Sequence, residues 1–239
     1  MLGLKGQGKK RARDCVEKPF WISFSDLMSA LMVLFLVAMA VALMAVTQGL
    51  AQMKKQEQNR VKTIQSCIDN VTDLTKQNGF GSITIHGTTI DFGSLVEFAN
   101  NDQRLNAQQE HLIRTFVPKV LQVAREKTCR KWLKRVVVEG SASQVGSYLY
   151  NLNLSFLRSQ RVLCILLDSK TKDALSIKDR KQIEQLFFVG GSSFNAVAKT
   201  PAEMRRVELK LEFRGLKEKK QLARDIPWGN EGTCPNDMR

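Results

Sequence analysis

One acidic side chain, Asp26, lies at the edge of the most apolar stretch of the chain. It is the only ionisable residue between Lys18 and Lys54, and the run from Leu27 to Val46 that follows it is apolar apart from Ser29. A carboxylate is costly to keep at the edge of a membrane-length helix, so it is typical of a residue that carries an ion or a proton. In apolar surroundings such a group can alternate between its charged and its protonated form. The pattern predicts transport of H⁺ or Na⁺, with no bound cofactor.

Hydroxyl groups close in sequence could support this carboxylate in either form. Ser23, Ser25 and Ser29 supply them, and Trp21 suits a membrane interface. A second interpretation makes Asp26 only the N-cap of the apolar helix, because aspartate is a good cap and the apolar run begins immediately after it. From the residues alone both interpretations stay open.

The apolar run has the length of one transmembrane helix. It is 20 residues long, and an α-helix needs roughly 20 residues to cross the hydrocarbon core of a bilayer. A cleavable signal peptide has an apolar middle of only about 7–15 residues and a small-residue exit, which Thr47-Gln48-Gly49 does not provide. We therefore predict an uncleaved, single-pass anchor over residues 20–47.

Charge and cysteine usage predict the orientation of this anchor. Residues 1–18 carry +4 of the net charge of +14, and a basic tail before a first span favours the cytoplasm. We expect residues 1–19 in the cytoplasm and the C-terminal part in the periplasm of a bacterial inner membrane. Four cysteines then lie in an oxidising compartment, where they could form two disulfides whose pairing the sequence leaves open: Cys67, Cys129, Cys164 and Cys234. Their wide spacing predicts no metal site.

Residues 48–78 and 79–215 have different patterns. In the first range Val61, Ile64, Ile68, Val71 and Leu74 form the stripe of an amphipathic helix, which either packs on the following domain or pairs with a copy of itself. In the second we predict strands at 82–86, 89–92, 135–139, 185–189 and 207–213, and helices at 106–127, bent or divided at Pro118, and at 154–167. This order predicts an α+β sandwich with helices on one face of a mixed sheet. Residues 216–239 are typical of a tail.

The start of the apolar helix resembles a known family of membrane proteins. The residues concerned are Trp21-x-x-Phe24-x-Asp26-Leu27-Met28-Ser29. This pattern resembles the transmembrane signature of the B subunits of ion-driven stators, which are the MotB family and its ExbD and TolR relatives. The resemblance implies that Asp26 binds the ion, that the chain is a homodimer, and that five A subunits of the MotA or ExbB type surround it. The short connection between span and domain is most similar to that of the B subunits of Zorya anti-phage defence systems.

The outer domain resembles the peptidoglycan-binding domain of OmpA and MotB. The resemblance rests on Val138-Glu139-Gly140, Gly146, Asn151-x-x-Leu154-Ser155-x-x-Arg158 and Met204-Arg205-Arg206-Val207-Glu208. It implies that Arg158 holds a carboxylate of the peptide stem, that Asn151 lies nearby and that Leu154 shapes the pocket. The family's usual Gly-His-Thr-Asp is replaced here by Gly140-Ser141-Ala142-Ser143, so we expect altered binding through Ser143, with Tyr148 or Tyr150 contributing.

These features favour some function classes over others. No arrangement of nucleophile and base stands out, so we do not expect an enzyme. The sequence pI of 9.8 suits nucleic acid, but the predicted periplasmic location opposes that class and no basic motif with interleaved aromatic residues is present. The sequence favours the B subunit of an ion-driven motor anchored to the cell wall, for anti-phage defence. The alternatives are a flagellar-type stator subunit and a membrane-anchored wall-binding protein without ion transport.

Overall fold

The computed structural model describes residues 18–77, 79–195, 204–218 and Cys234, with side chains from Phe24 onward. The chain divides into two units, one ending at Lys55 and one beginning at Gln56. The described residues of the first unit belong to helix α1, Lys18–Thr75, which contains a segment long and apolar enough to cross a membrane. All of the apolar side chains of that segment are exposed in the isolated chain, as expected of a surface that lipid or partner helices cover.

The second unit is an α+β domain built on one five-stranded sheet. The strand order is β1-β2-β5-β3-β4, in which β3 and β4 are parallel and the other neighbours are antiparallel. The elements after α1 are β1 (Thr84–His86), β2 (Thr89–Asp91), a 3₁₀ turn (Gly93–Val96), α2 (Ala107–Arg125), α3 (Lys127–Trp132), β3 (Leu133–Gly140), α4 (Tyr148–Leu167), α5 (Ile177–Leu186), β4 (Phe187–Gly191) and β5 (Val207–Phe213). The predicted mixed sheet with helices on one face is confirmed.

Apolar and charged residues alternate along strand β5, and this alternation decides which face of the sheet is buried. On β5, Val207, Leu209 and Leu211 are buried, whereas Glu208 and Lys210 between them remain partly exposed. The apolar side chains meet the buried stripes of α2 and α4, and the opposite face carries charges. Burying one face of each strand fixes the register, because a slip of one residue would place charges in the core.

Two helices and one proline depart from the expectations. Helix α2 begins with a capping box between Asn106 and Gln109 and continues through Pro118, so the proline does not divide it. Burial of its apolar face against the sheet compensates for the hydrogen bond that proline cannot donate. Helices α3 and α5 were not predicted, because each has at most ten residues and few apolar positions.

The part of α1 that belongs to the second unit packs into the domain. Cys67 and Val71 are buried in the main core and Leu74 lies against it, whereas Val61 is half exposed. The structure therefore supports packing on the domain for the second half of the predicted stripe. Two disulfides are present, Cys67–Cys129 and Cys164–Cys234, so all four predicted cysteines are paired. The first joins α1 to α3.

Candidate functional site

Asp26 lies well inside α1 rather than at its beginning. The helix includes Lys18, so Asp26 is at least its ninth residue. Only the first four N–H groups of a helix lack an intrahelical acceptor, and an N-cap side chain satisfies those. The alternative interpretation of Asp26 as an N-cap is therefore wrong.

The surroundings of Asp26 within the chain are apolar and open. Asp26, Ser25 and Ser29 are exposed, and the Ser29 hydroxyl donates to the backbone oxygen of Ser25 at 2.8 Å. Within the described ranges no hydrogen bond or ion pair reaches the Asp26 carboxylate. Trp21 and Ser23 lie on the same helix, but their side chains are outside the described residues. Among the residues that the structure describes, the Asp26 carboxylate is therefore left without a partner.

In the outer domain, Arg158 lies inside the protein. Its side chain is 0% exposed and its guanidinium donates to three backbone carbonyls: Asp102 O at 3.0 Å, Ser141 O at 2.7 Å and Ala99 O at 3.1 Å. The Phe98 ring lies 5.1 Å from the guanidinium carbon. Burial, together with the nearby charge of Arg205, lowers the pKa of Arg158 to about 10. The group therefore remains charged at neutral pH, and no carboxylate of the described residues is bonded to it.

This position bears on the predicted role of Arg158 in ligand binding. Three of its five donors are used to connect helix α4 with the loop 98–105 and with the end of β3. A peptide carboxylate could reach the guanidinium only if that loop moved. The ligand-holding role stays a prediction, and the structural role is the one that the contacts describe.

The other predicted wall-binding residues occupy two different surroundings. Asn151 is buried and donates to the backbone oxygen of Val145 at 3.1 Å, and Leu154 and Ser143 are buried as well. Tyr150 is 48% exposed, and its hydroxyl donates to the Asn101 side chain in the loop 98–105. Tyr148 is 44% exposed, so of the predicted wall-binding residues the two tyrosines have accessible side chains in this conformation, whereas Arg158, Asn151, Leu154 and Ser143 do not.

Glycines let α4 approach the ends of two strands closely. A Cβ added to Gly140 would lie 2.1 Å from the backbone oxygen of Ser155, and one on Gly191 would lie 2.5 Å from the Ser155 hydroxyl. At Gly190 the nearest atom would be 3.8 Å away. Such close contact is what keeps Arg158, one turn further along α4, within reach of the Ser141 carbonyl.

The sequence did not predict how the loop 98–105 is held. Arg205 donates to the backbone oxygen of Phe98 at 3.1 Å and pairs with Glu97 at 2.6 Å, while Phe98 N donates to Arg205 O at 2.8 Å. A second ion-pair network, also unpredicted, joins α2 to α4 through Glu110, which pairs with Arg114 and Arg161. The Asn100-Asn101-Asp102 run was a turn signal that could have marked this loop, and Asn101 indeed has a φ of 59°.

Three comparisons relate the chain to known proteins. No family model matches it. It is 40% identical over 233 residues to Zorya protein ZorB from Escherichia coli, covering 95% of this chain and 94% of that one. A MotB-like protein from Desulfovibrio vulgaris is 17% identical and covers 67% of this chain and 99% of its own, with a TM-score of 0.44. The OmpA-like domain of FopA1 from Francisella tularensis is 21% identical and covers 58% of this chain and 90% of its own, with a TM-score of 0.34.

The match to ZorB extends over both the apolar helix and the outer domain, since it leaves only a small part of either chain uncovered. On that identity and coverage, the chain belongs to the ZorB family of Zorya proteins.

Proposed function

We propose that this protein is the B subunit of an ion-driven inner-membrane motor in a Zorya anti-phage defence system. The observation that carries the proposal is Asp26, a carboxylate within an apolar helix that has no partner among the described residues. An aspartate costs about 2.5–3.5 kcal/mol or more at the centre of a membrane helix, and Asp26, at the edge of the apolar run, bears part of that cost unless something pairs with it. A transported H⁺ or Na⁺ and the polar groups of neighbouring subunits would supply that pairing.

The resemblance to stator B subunits implies the partners in this proposal, and the exposed apolar surface of α1 supports them. Because the apolar part of α1 is fully exposed in the single chain, lipid or other helices must cover it. A homodimer would place two Asp26 carboxylates inside a ring of five A subunits of the MotA, ExbB or Zorya type. Each carboxylate would then accept and release an ion as the ring and the dimer rotate against each other.

The orientation that this role needs is an N-terminus in the cytoplasm and an outer domain in the periplasm. Two intrachain disulfides in the outer domain support it, because the periplasm maintains disulfides and the cytosol reduces them. Binding of the outer domain to peptidoglycan would hold the motor in place. Membership of the ZorB family supports the link to defence.

The decisive experiment replaces Asp26 in the complete system. We expect Asp26→Asn to abolish protection against phage and proton or sodium flux in reconstituted vesicles, while Asp26→Glu retains part of both. Asp69→Asn is the matched control, because Asp69 is an exposed aspartate further along the same helix and outside the apolar run. Co-purification with the A subunit should be equal for all three variants.

One outcome distinguishes the motor from a wall-binding anchor. If Asp26→Asn assembles normally and still protects cells as well as the unaltered protein does, ion transport through this residue is not the function. The anchor without ion transport would then be the better description.

A further inference from the structure

A second charged site lies at the end of the sheet where β3 begins and β5 ends. A cleft of about 390 Å³ is lined by Lys127, Arg130, Lys131, Trp132, Arg214 and Glu218. Its lining includes none of the residues of the predicted wall site. Volumes of about 300–1,000 Å³ are usual for sites that bind small groups.

The positive charges of this cleft are not neutralised within the described ranges. Lys127, Arg130 and Lys131 are exposed and form no ion pair there. The acid of the cleft, Glu218, is already occupied, because one carboxylate oxygen pairs with Lys134 at 2.5 Å and the other accepts from Gly215 N at 3.2 Å. Like charges held together repel one another, and a bound anion would offset the repulsion among Lys127, Arg130 and Lys131.

The cations gather around one aromatic ring. Lys131 Nζ lies 4.9 Å from the centroid of the Trp132 ring, and the Arg60 guanidinium carbon lies 5.8 Å from it. Cation–π contacts of this kind hold charged groups near a surface without consuming their hydrogen-bond donors. The donors of Lys131 therefore remain available to a bound group.

The backbone around the cleft is fixed by several covalent and polar links. The Cys67–Cys129 disulfide joins α3, which carries three of the cations, to α1. Arg214 N donates to Trp132 O at 2.8 Å, and the Arg214 guanidinium donates to the backbone oxygens of Lys131 and Leu133. Such a site is held in place before a ligand arrives, which reduces the entropy lost on binding.

We propose that this cleft binds a phosphate group, either as free phosphate or as the headgroup of an anionic phospholipid. A cluster of flexible lysines with an arginine suits a compact, strongly charged anion that accepts several hydrogen bonds. Both sources present the same chemistry to the cleft. Neither the ion carrier nor the wall site needs this ligand, so the inference stands apart from the proposed function.

The test uses the full chain labelled with 5-fluorotryptophan, in neutral detergent and in nanodiscs. The ¹⁹F resonance of Trp132, assigned with Trp132→Phe, is followed during titration with inorganic phosphate at constant ionic strength set with chloride. The same resonance is then compared in nanodiscs of phosphatidylglycerol and of phosphatidylcholine. We expect a saturable shift at Trp132 with phosphate, or with phosphatidylglycerol alone if the headgroup is the source.

Matched variants show whether the cleft itself is responsible. Each basic side chain near an anionic surface contributes about 1 kcal/mol, so Arg130→Gln with Lys131→Gln should weaken binding about thirty-fold. The control, Lys170→Gln with Lys172→Gln, removes the same charge from exposed residues elsewhere and should change the affinity less than two-fold. Lys127→Gln alone provides a second, milder variant if the double one folds poorly.

Two results would overturn the proposal. One is a Trp132 resonance that responds to neither phosphate nor phosphatidylglycerol. The other is an equal loss of binding in the cleft and control variants, which would mean that only the overall charge of the protein attracts the anion.

Discussion

Replacing Arg158 should reveal whether this residue folds the outer domain or only binds a ligand. In Arg158→Met the aliphatic stem keeps most of its volume, but three backbone carbonyls lose their donor at once. A buried acceptor left without a partner costs about 1–3 kcal/mol. Part of this is offset, because the variant no longer buries a charge.

The expected net effect is a loss of about 3–5 kcal/mol in the free energy of unfolding, because three acceptors lose their donor at about 1–3 kcal/mol each and the relief from burying a charge offsets part of that sum. Domains of this size are stable by only about 5–15 kcal/mol, so the change would be large. Arg158→Lys should lose nearly as much, because one ammonium group cannot span the three carbonyls that the guanidinium reaches. Arg130→Met is the control, since Arg130 is exposed and forms no ion pair within the described ranges; it should change stability by less than about 0.5 kcal/mol.

The measurement is denaturant unfolding of the full chain in neutral detergent, followed by amide hydrogen exchange in β3 and β5. If Arg158→Met unfolds at the same denaturant concentration as the unaltered protein, the three hydrogen bonds contribute nothing to stability and Arg158 does not hold the domain together. The result also decides how to test wall binding. A lost peptidoglycan pull-down in an Arg158 variant would report on folding, whereas Tyr150→Phe changes an exposed side chain and leaves the core intact.

The structure also predicts the direction in which three further substitutions change the stability of the outer domain. Alanine at Gly140 would place Cβ 2.1 Å from a backbone oxygen and should cost about 1–3 kcal/mol in chemical denaturation, whereas alanine at Gly190, with 3.8 Å of room, should cost less than half as much. Burial, together with the nearby charge of Asp91, raises the pKa of Glu208 above its ordinary value of 4.5. The protonated form of Glu208 therefore stabilises the folded state, and this stabilisation is lost as pH rises from about 4.5 through the raised pKa. Glu208→Gln should make the denaturation midpoint less dependent on pH in that window. Removing the Cys67–Cys129 disulfide, whose partners are 62 residues apart, by a double alanine substitution should lower the free energy of unfolding by about 3–4 kcal/mol, and an unchanged midpoint would show that the disulfide does not constrain the unfolded chain.

The fold was predictable where burial imposes a clear period on the sequence. The core strand at Val136 and Val138 and the strand from Val207 to Phe213 were found because apolar residues concentrate or alternate there. Helix α5 was missed because a charged ten-residue helix with one buried residue, Ile183, leaves almost no periodic signal. Disulfide pairing was unpredictable for a different reason, since it depends on which elements meet in space.

The two candidate sites differ in what a sequence motif can reveal about them. Arg158 is bonded to carbonyls of its own chain, so its presence is explained by folding before any ligand is considered. Asp26 is the opposite case, because within the described ranges it makes no contact that would offset the cost of a carboxylate among apolar residues. When a carboxylate in apolar surroundings forms no stabilising contact with the described residues of its own chain, a contact with another molecule is the better explanation for its presence. For that reason the proposed function depends on Asp26, which forms no stabilising contact with the part of the chain that the structure describes.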